Sequence, residues 1–126
     1  MLKGERLGGL CGLGGWEAIV KKGTIAYAAY DKYDGMIDKK KGLTSERHRH
    51  RYEFNNEYSL ALEEKGLVIA ARSVNEDLVE IIELPKSKHP FYLGTQGHPE
   101  YKSRPLHPHP LFIAFIEACT KLRKSR

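Results

Sequence analysis

The apolar positions of this chain fall into short blocks whose period changes along the sequence, and each block predicts an element. Trp16 to Val20 (WEAIV) is apolar enough for a strand or a single turn of helix, and Lys21-Lys22-Gly23 interrupts it. Thr24 to Tyr33, rich in alanine and tyrosine, predicts a helix, and Asp34-Gly35 is a turn signal. Ile37 to Gly42 (IDKKKG) reads as an exposed basic loop. Asn56 is placed to cap a helix over Glu57 to Lys65, with Gly66 as its stop. Leu67 to Arg72 and Leu78 to Leu84 read as two strands, and Asn75-Glu76-Asp77 between them predicts a hairpin. Phe91 to Gln96 is a third strand, reached through a polar connection from Pro85 to Pro90. The prolines of Ser103 to Pro110 impose an extended path, and Pro110 opens a terminal helix over Leu111 to Leu122. Phe112, Phe115, Ile116, Cys119 and Leu122 recur there at spacings of three and four, so that stripe is expected to dock on a core, with Cys119 packed inside it.

Length and composition narrow the class. A chain of 126 residues is a single domain with a modest core, and 40% hydrophobic with 29% charged residues is an ordinary globular balance. No apolar run reaches the ~20 residues of a membrane-spanning helix. The first residues lack the apolar stretch of a secretion signal, so a cytoplasmic setting is expected. Cys11 and Cys119 give no disulfide framework, which agrees with a reducing compartment. The net charge of +5 is concentrated at Lys39 to Lys41, Arg47 to Arg51 and Lys121 to Arg126. A solvated basic surface is the favoured reading of these clusters, ahead of contact with nucleic acid.

Three stretches carry candidate chemistry. Leu7 to Gly15 (LGGLCGLGG) is a glycine-rich loop able to present backbone amides to an anion or an oxyanion. No apolar strand precedes it, so it is not a dinucleotide fingerprint. Glu46 to Asn56 (ERHRHRYEFNN) alternates Arg47, Arg49 and Arg51 with His48 and His50. At a period of two, the arginines share one face of an extended segment and the histidines the other. The arginine row suits a carboxylate or a phosphate, whereas imidazoles flanked by cations are poor metal ligands, and no metal site is expected. Finally, Gly97-His98-Pro99-Glu100 follows the third strand. A carboxylate two residues from a histidine can fix its tautomer and stabilise its charged form, although alone the pair reads as a surface turn.

Taken together, ERHRHRYEFNNEY and LVEIIELPKSKHPFYLGTQGHPEYKSRPLHPHPLFIAFIEA resemble the glutaminase domain of the CTP synthase family, which are class I glutamine amidotransferases. The resemblance covers Glu46 to Lys121. It divides one amidotransferase-like domain, 1–126, into a poorly matched part, 1–45, and a well-matched part, 46–126. It implies an α/β fold, partly flavodoxin-like, with an antiparallel hairpin and a C-terminal helix, and a sheet that is in part parallel. It implies a Cys-His-Glu triad in which His98 is the base and Glu100 orients it. Arg51 matches an arginine that holds the substrate L-glutamine. The implied chemistry is acyl transfer to a thiolate followed by hydrolysis to glutamate.

The same resemblance implies a separate synthetase partner that uses the released ammonia to aminate UTP. ATP and magnesium would belong to that partner, so no cofactor is expected in this chain. Two placements of the glycine-rich loop compete. In one, Gly8 and Gly9 match an oxyanion-hole loop, Cys11 is incidental and the nucleophile segment is missing. In the other, Cys11 is the nucleophile of an elbow with one extra glycine. Gly97 stands where the family has a bulky aromatic residue, and looser packing beside His98 is expected from it. A partial parallel sheet would expose edges, so the chain is expected either to dimerise or to be marginally stable. Three functions are consistent with these observations: a glutaminase, a non-catalytic remnant or regulatory module, and an anion-binding or nucleic-acid-binding protein, the last least favoured.

Overall fold

The computed structural model describes residues 15–50 and 52–125. Strand β1 is Trp16–Val20, helix α1 Ile25–Lys32 and strand β2 Leu43–Glu46. Helix α2 is Ser59–Glu64, preceded by a 3-10 turn at Asn56–Tyr58. Strands β3 (Val68–Ser73), β4 (Val79–Glu83) and β5 (Leu93–Thr95) follow, then a 3-10 turn at Pro99–Tyr101 and helix α3, Pro110–Lys124. The strands form a five-stranded sheet in the order β2-β1-β3-β4-β5.

Every pairing in this sheet is antiparallel. The mixed α/β content, the β3–β4 hairpin and the terminal helix agree with the sequence, but the partly parallel sheet does not form from the described strands. The reason lies in the β1–β2 connection. Ile19 pairs with Leu43, and the Val20 amide donates to the Gly42 carbonyl at 2.9 Å. β2 therefore begins where β1 ends, and the two strands are arms of a hairpin whose long connection contains α1. Asp34 (φ 55°) and Gly42 (φ 70°) supply the left-handed turns by which that connection doubles back. β2 and β5, at the edges, are short, and Lys102 Nζ donates to the Ser45 carbonyl on β2, which blunts one edge.

Alternation places Ala18 and Val20 of β1 in the core and Glu17 and Ile19 outside. The core joins these residues to Ala26, Ala29 and Tyr30 of α1, Ala70 and Ala71 of β3, Ile81 of β4 and Leu111 of α3. The small side chains let α1 lie close to the sheet. Thr24 caps α1 by accepting from the Tyr27 amide at 3.0 Å. Two further amides at the start of α1, on Ile25 and Ala26, donate to the buried Glu83 carboxylate at 2.7 and 3.1 Å, which fixes the helix to β4.

Two sequence expectations shift. Asn55, not Asn56, caps the short 3-10 turn, and Asn56 instead donates to the Asp77 carbonyl at 2.9 Å, tying this turn to the β3–β4 hairpin. On α3 the docked row is Leu111 and Ala114, packed towards α1, with Lys32 and Glu117 paired at 2.9 Å alongside. Phe115 is 48% and Ile116 60% exposed, and Phe112, Cys119 and Leu122 are exposed as well. Both rows have helical spacing. The large-residue row dominates the sequence pattern, but the small-residue row is the one that fits against the alanines of α1.

Three elements meet at one buried carboxylate. Glu46 Oε1, at the end of β2, accepts from the Tyr30 hydroxyl at 2.9 Å and from His109 Nε2 at 2.6 Å. His109 Nδ1 accepts from the Leu111 amide at 3.1 Å and caps α3, so the ring's proton sits on Nε2. Gly97 packs against this group: a Cβ there would stand 2.9 Å from Glu46 Cβ. The space beside Gly97 is therefore filled by Glu46, and the expected looseness is absent. Gly97→Ala is expected to cost about 1–3 kcal/mol by forcing Glu46 away from its partners. Glu83→Ala is expected to cost about 1–3 kcal/mol through its two stranded amides. Urea unfolding should show a lower midpoint with unchanged slope in each variant, and an unchanged midpoint would contradict the packing described.

Candidate active site

The turn after β5 is held by backbone on both sides. The Gln96 amide donates to the Glu80 carbonyl at 2.9 Å, extending the β4–β5 pairing by one rung. Thr95 Oγ1 then accepts from the Gly97 amide at 3.0 Å and bends the chain. The His98 amide donates to the Arg47 carbonyl at 2.8 Å, so the turn is pinned to the arginine segment that leaves β2. Pro99 next starts the 3-10 turn and fixes the direction of Glu100.

The sequence expected His98 and Glu100 to act as a pair, and they are one: His98 Nδ1 stands 2.6 Å from Glu100 Oε1. The bond from His98 holds the Glu100 carboxyl below its usual range, so this group is an ionised acceptor. An acceptor there requires the proton on Nδ1, and in the neutral imidazole the lone pair is then on Nε2. Among the described residues, Nε2 has no hydrogen-bond partner. The Tyr101 ring stacks on the imidazole, with centroids 5.3 Å apart and planes 22° from parallel. Arg49 Nη1 in turn donates to the Tyr101 hydroxyl at 3.2 Å. The result is a half-exposed imidazole with a set tautomer, a supported ring face and a free basic nitrogen, which is what a general base needs.

From Arg47 to His50 the alternation is realised: Arg47 and Arg49 are exposed, His48 is buried and His50 half-buried, while Arg51 lies outside the described residues. The two imidazoles face each other, with His48 Nδ1 2.7 Å from His50 Nε2, and do not converge on a common point as metal ligands would. No group of three or more His, Cys, Asp or Glu among the described residues is arranged to hold a metal ion. Below them lies Glu80 of β4, which sequence reasoning passed over inside an apolar strand. It is 4% exposed, neither carboxylate oxygen has a hydrogen-bond partner, and Oε2 lies 3.4 Å from His48 Nε2. Burial, then the nearby Glu53 charge, pushes the Glu80 carboxyl up to about 8. The Trp16 indole pulls the other way without a hydrogen bond of normal geometry. Burial, then His50, lowers His48 to about 4.

Tyr101 and Trp16 also went unread as site residues. Nothing in their spacing marks them; the 3-10 turn after His98 brings Tyr101 onto the imidazole, and the antiparallel β1–β2 register brings Trp16 beside His48. Arg51, Gly8, Gly9 and Cys11 lie outside the described residues. What can be set beside the two placements of Cys11 is the element that follows: an elbow cysteine calls for a helix after it, and Trp16–Val20 is a strand. A groove of about 500 Å³ between α1, α3 and Phe91 is lined by none of the site residues.

Comparison with known proteins gives the family. The family model described as glutamine amidotransferase class-I matches residues 14–118. The chain is 48% identical to a CTP synthase of Thermobifida fusca over 122 residues, 96% of this chain and 21% of that protein. It is 49% identical to a CTP synthase of Geobacter metallireducens over 122 residues, 97% of this chain and 21% of that protein. A solved structure, the glutaminase domain of the Trypanosoma brucei CTP synthase with bound acivicin, superposes with a TM-score of 0.71 at 32% identity. That match covers 86% of this chain and 39% of the solved chain. The chain thus spans about a fifth of the length of the curated relatives it matches. No helix among the described residues is long and apolar enough to cross a membrane. Matched over most of its length, and carrying the paired histidine and glutamate at the end of β5, the chain belongs to the class I glutamine amidotransferase family, in the branch of the CTP synthase glutaminase domains.

Proposed function

We propose that this chain carries the base side of a glutamine-hydrolysing site that supplies ammonia for CTP synthesis. The observation that carries the reading is the His98–Glu100 pair, with Nδ1 held at 2.6 Å and Nε2 unpaired among the described residues. His98 Nε2 takes the proton of a cysteine thiol, and Glu100 stabilises the imidazolium that forms. The thiolate attacks the side-chain carbonyl of L-glutamine, and the C–N bond breaks as the imidazolium returns its proton to the leaving ammonia. Water then hydrolyses the thioester to glutamate, with His98 again as base. Arg51 receives the substrate carboxylate through a bidentate contact, and Gly9 donates its amide to the oxyanion.

The thiol comes from outside the described residues. Either Cys11 supplies it, or a further segment of an amidotransferase domain does. The strand at Trp16–Val20 and the 39% coverage of the solved glutaminase chain favour the second source. The partner is a CTP synthase synthetase unit, to which ATP and magnesium belong, and the setting is the cytoplasm. Contact with nucleic acid has no support beyond the basic clusters, and whether copies of the chain associate is a separate question that sedimentation answers.

A diazoketone analogue of glutamine tests the reading, because it alkylates a thiol that a nearby base has activated within a glutamine-shaped pocket. A single adduct on Cys11, lost in His98→Ala, is expected if the chain is self-sufficient. If a further segment supplies the thiol, adduct formation and glutamate release are expected only when that segment is added. Glu100→Gln should then lower turnover by about 10²–10⁴-fold. No adduct under either condition would reduce the chain to a non-catalytic member of its family.

A further inference from the structure

Beyond the histidine and glutamate of the turn, a second line of titratable groups runs from the interior of the sheet to the surface beside it. It starts at Glu80, passes through His48 and His50, and ends at the Tyr52 carbonyl, with Glu53 alongside. The direction of its hydrogen bonds follows from one fixed end. His50 Nδ1 lies 3.0 Å from the Tyr52 carbonyl oxygen, which can only accept, so Nδ1 carries a proton. A neutral His50 then offers a lone pair at Nε2, and His48 Nδ1, at 2.7 Å, must donate to it. A neutral His48 in turn presents a lone pair at Nε2 towards Glu80 Oε2, 3.4 Å away. A carboxylate facing that lone pair would be repelled, and a carboxylic acid would be bound.

We propose that Glu80 is a positioning residue: as a neutral carboxylic acid it keeps its proton and turns its O–H towards the His48 Nε2 lone pair, a contact of 3.4 Å that a small shift closes into a hydrogen bond, and so anchors the segment that holds the His98 amide. That segment bears on the site because the Arg47 carbonyl accepts from the His98 amide at 2.8 Å, and in sequence it runs on from His50 into Arg51. Burial favours the neutral form from two sides, raising the carboxyl and lowering the imidazole. The groups that act on the pair are Trp16 of β1, Glu46 at the end of β2, His50 and Glu53 of the arginine segment, and His98 of the turn. The role in holding glutamine rests on the preceding proposal; the anchoring of His98 does not.

The sign of the pH dependence follows. The Glu80 carboxyl is raised in the folded protein, so the stability it contributes is complete below about pH 4.5 and is lost as the pH rises through about 8. His48 is lowered, so its contribution is lost as the pH falls from about 6.5 through about 4. Glu80→Gln keeps a donor towards His48 and cannot ionise. Its melting temperature should match the wild type near pH 4.5 and exceed it at pH 9.

The experiment is NMR on the whole chain as wild type, Glu80→Gln and Glu80→Ala. The Glu80 side-chain carbon, assigned by its absence in Glu80→Gln, should report a protonated acid at pH 7, and His48 should be neutral. Exchange of the His98 amide should be about tenfold faster in Glu80→Ala and restored to the wild-type rate in Glu80→Gln. An ionised Glu80 beside a cationic His48 at pH 7 overturns the proposal, as does a His98 amide indifferent to Glu80→Ala. If Glu80→Ala does not fold, the carbon shift and the behaviour of Glu80→Gln decide the question alone. L-Glutamine titrated into the wild type separates the two proposals. Absent binding removes the glutamine reading and leaves the anchor to stand or fall on the protonation and exchange results.

Discussion

The Glu46 carboxylate is the constraint on which the rest depends. It sits where β2 ends and the arginine segment begins. Through Tyr30 and His109 it fixes α1 and the start of α3 to that point. Both donors reach Oε1, while Oε2 has no hydrogen-bond partner among the described residues, so losing either donor would leave a buried acidic group still less satisfied. Gly97 leans on the same side chain. The residue before the candidate base is thereby located against the interior of the protein, and a half-exposed histidine acquires a position as definite as a core residue.

This arrangement accounts for the composition of ERHRHRYE. Its first residue is a buried brace, Arg47 and Arg49 face outward, and its histidines face inward over Glu80. One face is left for a ligand while the other is tied to β4. The HPE turn is then suspended between two supports, the Glu80 carbonyl through Gln96 and the Arg47 carbonyl through His98. The proton on His98 Nδ1 is set within the turn itself, by Glu100. On the function proposed above, this turn holds the base in place and a thiol brought to it completes the chemistry.

Much of this was legible in the sequence. The β3–β4 hairpin followed from its turn residues and α1 from its composition, whereas the pairing of His98 with Glu100 followed from the resemblance, since the spacing alone reads as a surface turn. The resemblance carried by ERHRHRYE and HPE identified the family. What was not legible depended on tertiary choice. The antiparallel β1–β2 pairing spans a long connection and has no local signal. The docked face of α3 was misread because the small row that fits α1 is quieter in sequence than the row of Phe112, Phe115 and Ile116. Gly97 was read as a gap because a missing side chain says nothing about which neighbour fills the space. Glu80 was passed over because a carboxyl within VEIIE reads as an outward position until the sheet register turns it inward.

The central claim is that His98 is held as a base, with its proton on Nδ1 and its lone pair on Nε2, before any substrate arrives. Nitrogen-15 shifts of the His98 ring measure this directly. For the neutral ring, the account predicts a protonated signature at Nδ1 and an unprotonated one at Nε2, with the preference lost in Glu100→Gln. A ring protonated at Nε2, or one that averages freely between tautomers in the wild type, would contradict it.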